Sequence, residues 1–87
     1  MKYVVMYQSA ADAGPKLAEH FPAHRQGWQR FMAEGTLLAI GPFGDRSGAM
    51  AVFTTREAAE AFVQQDPFVL HGAMQSWTIR EWNEALL

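Results

Sequence analysis

The residue whose type and position most directly suggest chemistry is His24. It belongs to an apolar stripe with spacings of 4, 3, 4 and 3 residues, made of Leu17, Phe21, His24, Trp28 and Phe31. This spacing is typical of one face of a helix. An imidazole on such a face loses hydration and can be tuned as an acid or a base. A core histidine whose ring nitrogen bonds a backbone carbonyl explains the same pattern. The residue types alone therefore leave both interpretations open.

Asp66 is the second candidate, because it ends a predicted helix directly before Pro67. An acidic residue at a helix C-terminus opposes the helix dipole, at a cost of a few tenths of a kcal/mol. Its local benefit is that it can cap the turn that begins at Pro67. A carboxylate has two oxygens, so capping is compatible with a second role in orienting His24.

A metal site is the weaker interpretation of the histidines. His20 and His24 have the i, i+4 spacing of two zinc ligands on a helix, with Asp66 or His71 as a third ligand. However, Pro22 lies between the two histidines, and the zincin glutamate is absent. The chain also has no cysteine, which excludes thiolate ligands and a thiolate nucleophile. We expect no metal and no cofactor.

Strands and helices alternate along the chain in the order β-α-β-β-α-β. Strands are predicted over residues 2–8, 36–43, 49–54 and 73–82, and helices over residues 16–34 and about 55–65. Pro22 predicts that the first helix becomes regular only near Phe21, and the capping-box spacing of Thr54 and Glu57 predicts the start of the second. This order predicts an α+β, ferredoxin-like fold, with both helices on one face of an antiparallel sheet.

Composition limits the partners of the chain. Its 87 residues predict one domain spanning 1–87. A net charge of −2 indicates no broad positively charged surface for binding nucleic acid. No segment resembles a signal peptide or a membrane span, so we expect a cytoplasmic protein without membrane contacts. Hydrophobic residues make up 49% and charged residues only 18%. This excess of apolar surface, together with an uncovered sheet face, predicts a homodimer.

Four segments, in order, resemble the YCII-like (YciI-related) family of small proteins. They are Lys2-Tyr3-Val4-Val5, Pro22-Ala23-His24, Leu37-Leu38-Ala39-Ile40-Gly41-Pro42 and Asp66-Pro67-Phe68-Val69-Leu70-His71-Gly72. The resemblance implies a ferredoxin-like subunit of a dimeric α+β barrel. It also implies an active site built on His24 and Asp66, and small-molecule reactions of a lyase type, including removal of halide from ring compounds.

The working hypothesis is a cofactor-independent enzyme of the lyase or isomerase type. His24 acts as the general base or acid, and Asp66 fixes its tautomer. We expect a small, partly apolar substrate, aromatic compounds included, in a pocket walled by Tyr7, Trp28 and Phe68. Ser47 lies in a predicted turn, where serine is common for structural reasons alone. We keep it as a further candidate for contact with the substrate. Two alternatives stay open, namely a non-catalytic ligand-binding or accessory module and a cofactor-free monooxygenase-like enzyme.

Overall fold

Four strands form one antiparallel sheet, which a computed structural model describes together with the rest of residues 1–87. The strands are β1 (Lys2–Ser9), β2 (Leu37–Pro42), β3 (Gly48–Phe53) and β4 (Met74–Trp82), in the spatial order β2-β3-β1-β4. Helices α1 (Ala13–Ala33), α2 (Arg56–Gln65) and the short α3 (Pro67–Leu70) connect them. The predicted ferredoxin-like α+β fold is confirmed.

The first helix is longer than the sequence predicted. It begins at Ala13 rather than at residue 16, and it is regular through Pro22, whereas a regular helix was predicted only from near Phe21. The dipeptide Gly14-Pro15 falls in its first turn. The backbone N–H groups of a first turn make no intrahelical hydrogen bond, so a proline there removes none. The proline ring at Pro22 fixes φ at a helical value and removes a single hydrogen bond. The core contacts of both halves, Leu17 before the proline and Phe31 after it, compensate for that loss.

The second helix begins one residue later than its capping-box spacing predicted. Thr55, not Thr54, is the N-cap, and its side-chain oxygen accepts a hydrogen bond of 3.1 Å from the N–H of Ala58. The helix ends at Gln65 because the following residue, Asp66, precedes proline and adopts extended backbone angles. The chain therefore turns sharply at Asp66, and this turn points the carboxylate into the protein.

The core lies between the helices and one face of the sheet. Strand residues alternate between the two faces, so that Val5, Tyr7, Ala51 and Phe53 point toward the helices. They meet aromatic and aliphatic side chains of all three helices, namely Phe31, Ala59, Phe62, Val63 and Phe68. The opposite face carries Val4, Met6, Met50 and Val52, and no helix covers it.

None of the helices combines the length and the apolar character needed to cross a bilayer.

Candidate active site

Asp66 is at the centre of a buried polar cluster. Its carboxylate oxygen Oδ1 lies 2.8 Å from Nδ1 of His24, and the same oxygen accepts a hydrogen bond of 3.1 Å from the N–H of Phe68. Its other oxygen, Oδ2, accepts a hydrogen bond of 2.9 Å from the hydroxyl of Tyr7. Asp66 is only 2% exposed. Three donors thus compensate the loss of hydration that a buried carboxylate suffers.

Each member of the cluster comes from a different element. Tyr7 lies near the end of β1, His24 in the middle of α1, and Asp66 at the junction of α2 and α3. The carboxylate also caps α3 through the N–H of Phe68, as the Asp-Pro sequence predicted. The two roles considered for Asp66, capping and contact with His24, therefore coexist.

The imidazole of His24 is fixed on two sides. An ionised carboxylate only accepts hydrogen bonds, so Nδ1 carries the proton shared with Asp66. The ring of Phe68 stacks on the imidazole with centroids 3.9 Å apart and planes inclined by 12°. Together these contacts fix both the tautomer and the orientation of the ring.

Nε2, the other ring nitrogen of His24, is free to meet a ligand. No protein atom forms a hydrogen bond with Nε2. If Nε2 were also buried, it would be a buried polar atom without a partner, and the only such side-chain atom is Oε2 of Glu84. Nε2 is therefore accessible. His24 also lines a cleft of about 200 Å³ between α1 and the α2–α3 junction. The other lining residues are Ala23, Gln26, Gly27, Arg30, Phe31, Phe62, Gln65, Asp66 and Pro67. A neutral imidazole with its proton on Nδ1 presents a basic lone pair at Nε2.

The other predicted pocket residues lie in different places. The hydroxyl of Tyr7 bonds Asp66, and the ring of Phe68 stacks on His24. Neither Tyr7 nor Phe68 lines the cleft. Trp28 packs against the core cluster. Ser47 is exposed in the β2–β3 turn, where its N–H donates to Oδ1 of Asp45 and its carbonyl accepts from the N–H of Ser9. The substrate contacts predicted for Trp28 and Ser47 therefore find no counterpart in the cleft of this chain.

His20 and His71 form a separate pair away from the Asp66 cluster. Their rings stack with centroids 3.9 Å apart and planes inclined by 3°. His20 lies one helical turn before His24, yet no three His, Asp or Glu side chains converge in an arrangement that could hold a metal ion.

Sequence reasoning missed two features of the site. The first is the hydroxyl of Tyr7, which was predicted only as part of a wall. The second is the pair of Arg30 and Gln65 on the rim of the cleft, where Nη2 of Arg30 donates a hydrogen bond of 2.8 Å to Oε1 of Gln65.

Burial raises the pKa of Tyr7 well above its ordinary value, and the charge and hydrogen bond of Asp66 raise it further. The phenol therefore keeps its proton, and its hydrogen bond to Asp66, to a higher pH in the folded protein than in the unfolded chain. In the unfolded chain a tyrosine loses its proton near pH ~10. Stability from this group is therefore fully present below pH ~10 and is lost as the pH rises above it.

We expect a Tyr7→Phe variant to lose this alkaline sensitivity. Above pH ~10 the free energy of unfolding of the wild type should fall by up to ~1.4 kcal/mol per pH unit more steeply than that of the variant. Urea unfolding between about pH 8 and pH 11 measures both slopes, with Tyr3→Phe as a control for a phenol outside the cluster. Identical slopes in wild type and Tyr7→Phe would show that the Tyr7 hydroxyl is not held as described.

The fold and site define a ferredoxin-like α+β protein with a buried Tyr–Asp–His cluster beside a small cleft. Residues 1–83 match the sequence model of the YCII-related domain. The chain is 30% identical to Protein YciI of Escherichia coli O6:H1 (strain CFT073) and to that of Shigella flexneri, over 97% of this chain and 98% of each relative. The chain therefore belongs to the YCII-related family, as its motifs predicted.

Two solved structures share the fold at low sequence identity. One is the 5-chloro-2-hydroxyhydroquinone dehydrochlorinase TftG of Burkholderia phenoliruptrix AC1100, in complex with 2,5-dihydroxybenzoquinone. It superposes with a TM-score of 0.80 at 16% identity, over 98% of this chain and 96% of that one. The other is a variant of MhuD with two manganese protoporphyrin IX molecules per active site, with a TM-score of 0.52 at 16% identity, over 98% and 94%.

Proposed function

We propose that this protein is a small-molecule enzyme of the lyase type, in which His24 transfers a proton and Asp66 positions it. The observation that carries the proposal is the asymmetry of the His24 ring. Nδ1 is bound to a buried carboxylate, whereas Nε2 has no protein partner and the residue lines a cleft. This is the arrangement in which an imidazole serves as a general base, because the carboxylate stabilises the imidazolium that forms.

The chemical step starts when Nε2 of His24 takes a proton from an acidic O–H or C–H of the substrate. The electron pair left behind forms a new double bond, and a leaving group departs with the electrons of its own bond. His24 then returns the proton to solvent or product. Proton transfer of this kind needs no cofactor, and the similarity in fold to TftG, a dehydrochlorinase, supports elimination as the reaction class.

The direct test uses 5-chloro-2-hydroxyhydroquinone as a probe substrate under anaerobic and aerobic conditions. We expect chloride release that is independent of oxygen and that disappears in His24→Gln. Saturable binding of 2,5-dihydroxybenzoquinone with no turnover of any halogenated ring compound would favour a ligand-binding module instead. Turnover that consumes oxygen would favour a monooxygenase-like enzyme.

The proposal includes a homodimer formed through the sheet face that the helices leave uncovered. A groove of about 380 Å³ on that face is lined by Val4, Met6, Met50, Arg80, Glu81 and Trp82, and Trp82 is still 37% exposed. A second copy would remove this apolar surface from water, which is the main favourable term in association.

Light scattering at micromolar concentration should give a mass of twice 9.7 kDa, and Met50→Glu should shift the protein toward the monomer by placing a charge in the interface. Thr78→Glu, on the same face but outside the groove, is the control and should shift the protein toward the monomer less than Met50→Glu does. A wild-type mass near 9.7 kDa would contradict the dimer.

A further inference from the structure

The rim of the His24 cleft carries a cation that no acidic side chain neutralises. Arg30 lies in the last turn of α1 and lines the cleft. None of the ion pairs of the protein includes it, and Glu34, four residues further along the helix, does not pair with it. Asp66 lines the same cleft, but its two oxygens already accept three hydrogen bonds. The guanidinium thus keeps its positive charge on the same cleft that His24 lines.

A neutral amide holds Arg30 in place. Gln65, the last residue of α2, accepts a hydrogen bond of 2.8 Å from Nη2 of Arg30 through Oε1. Because an arginine only donates, this contact also fixes the orientation of the amide, and the NH₂ group of Gln65 remains a donor. The contact therefore restrains the guanidinium without cancelling its charge, and it adds further N–H donors at the same rim.

The rest of the cleft suits a small, flat, partly apolar molecule. Phe31, Phe62 and Pro67 also line it, and the guanidinium of Arg30 lies 5.7 Å from the centroid of the Phe31 ring. Gly27, between His24 and Arg30 on α1, also lines it, and a Cβ atom added there would meet nothing within 4 Å. A glycine inside a helix is unfavourable relative to alanine, and here its missing side chain widens the cleft. Its volume, about 200 Å³, lies below the ~300–1,000 Å³ typical of drug-sized ligands.

We propose that Arg30, positioned by Gln65, binds an anionic oxygen of the substrate, a carboxylate or a phenolate, so that this site selects small planar organic anions. The planar fork of a guanidinium matches a carboxylate in a two-point contact, and such charge-assisted bonds are about twice as strong as neutral ones. This inference rests on the proposed function, since it assigns Arg30 to the cleft in which His24 would act. An anion held at Arg30 would present its neighbouring atoms to Nε2.

The test compares benzoate with benzamide, two probes that share a ring and differ in charge. Binding is followed by NMR through the amide of Gly27 and the ring of His24 in uniformly labelled protein. We expect saturable benzoate binding at millimolar concentration and at least tenfold weaker binding of benzamide. In Arg30→Gln the two affinities should become equal, and Arg30→Lys should retain part of the preference, because it keeps the charge but not the fork. Arg25→Gln, an exposed arginine of the same helix outside the cleft, should bind benzoate like the wild type.

Three results would overturn the inference. They are equal affinity of the wild type for the two probes, absence of benzoate binding at tens of millimolar, and an unchanged preference in Arg30→Gln. An unchanged preference would mean that Arg30 interacts favourably only with the C-terminal end of the α1 dipole and does not select the ligand. The outcome is separable from the proposed function, since benzoate selection should persist in His24→Gln, the variant in which we expect turnover to fall. Selection without turnover in the wild type would defeat the catalytic proposal alone.

Discussion

Replacing His24 with glutamine is expected to lower turnover of a substrate by roughly 10²–10⁴-fold, the range that a positioned general acid or base contributes. Glutamine fills a similar space and can still donate a hydrogen bond to Oδ1 of Asp66, but it has no basic lone pair to offer the cleft. The variant should therefore stay folded while kcat falls. KM should change little, because the ring of His24 is only one wall of the cleft.

The matched control is His20→Gln. It removes an imidazole from the same helix, one turn earlier, outside the cleft. Turnover in this variant should equal that of the wild type. If His20→Gln and His24→Gln lower kcat to a similar extent, the loss reflects damage to α1 rather than loss of a base. If His24→Gln keeps wild-type turnover, His24 is a structural core residue, the second interpretation that the sequence left open.

Removing the carboxylate of Asp66 is expected to have the largest effect on stability. In Asp66→Ala the hydroxyl of Tyr7, Nδ1 of His24 and the N–H of Phe68 all lose their acceptor, and α3 loses its cap. Breaking such a buried, charge-assisted cluster costs about 3–5 kcal/mol. A domain of this size is stable by roughly 4–13 kcal/mol, so the variant is at the edge of folding.

Asp66→Asn tests the same cluster in a protein that still folds. The amide oxygen can replace one acceptor, and the NH₂ group can donate to the Tyr7 hydroxyl, so we expect a loss of about 1–3 kcal/mol. Urea unfolding at one fixed protein concentration measures the change, since a dimer makes stability depend on concentration. Asp45→Ala, which removes an exposed carboxylate bound to a single backbone N–H, should cost less than either. Equal losses in the Asp45 and Asp66 variants would contradict the buried cluster.

The order of the elements was predictable because local signals mark each of them. Alternating or fully apolar runs predicted the strands, and Asp66-Pro67 predicted the end of α2. The start of α1 was not predictable from Pro22, because the energy that keeps the helix continuous comes from core contacts distant in the sequence. The N-cap was misplaced by one residue, since Thr54 and Thr55 are chemically alike and only the path of the chain from β3 distinguishes them.

The site was predictable only in part, for a similar reason. His24 and Asp66 attracted attention through an apolar stripe, an Asp-Pro junction and the family motifs. The hydrogen bond of Tyr7 to Asp66 spans 59 positions and depends on which face of β1 the tyrosine occupies, which the doubly apolar strand does not specify. Arg30 lies in the last turn of α1 and Gln65 is the last residue of α2, so the packing angle between the two helices decides whether they meet.

The most direct test of the His24–Asp66 pair is the ¹⁵N NMR spectrum of the His24 ring, recorded at a pH at which the ring is neutral. We predict a proton on Nδ1, an unprotonated Nε2 whose resonance moves when a cleft ligand is added, and loss of the tautomer preference in Asp66→Asn. A proton on Nε2 in the wild type, unaffected by Asp66→Asn, would contradict an imidazole held by Asp66 and open to the cleft.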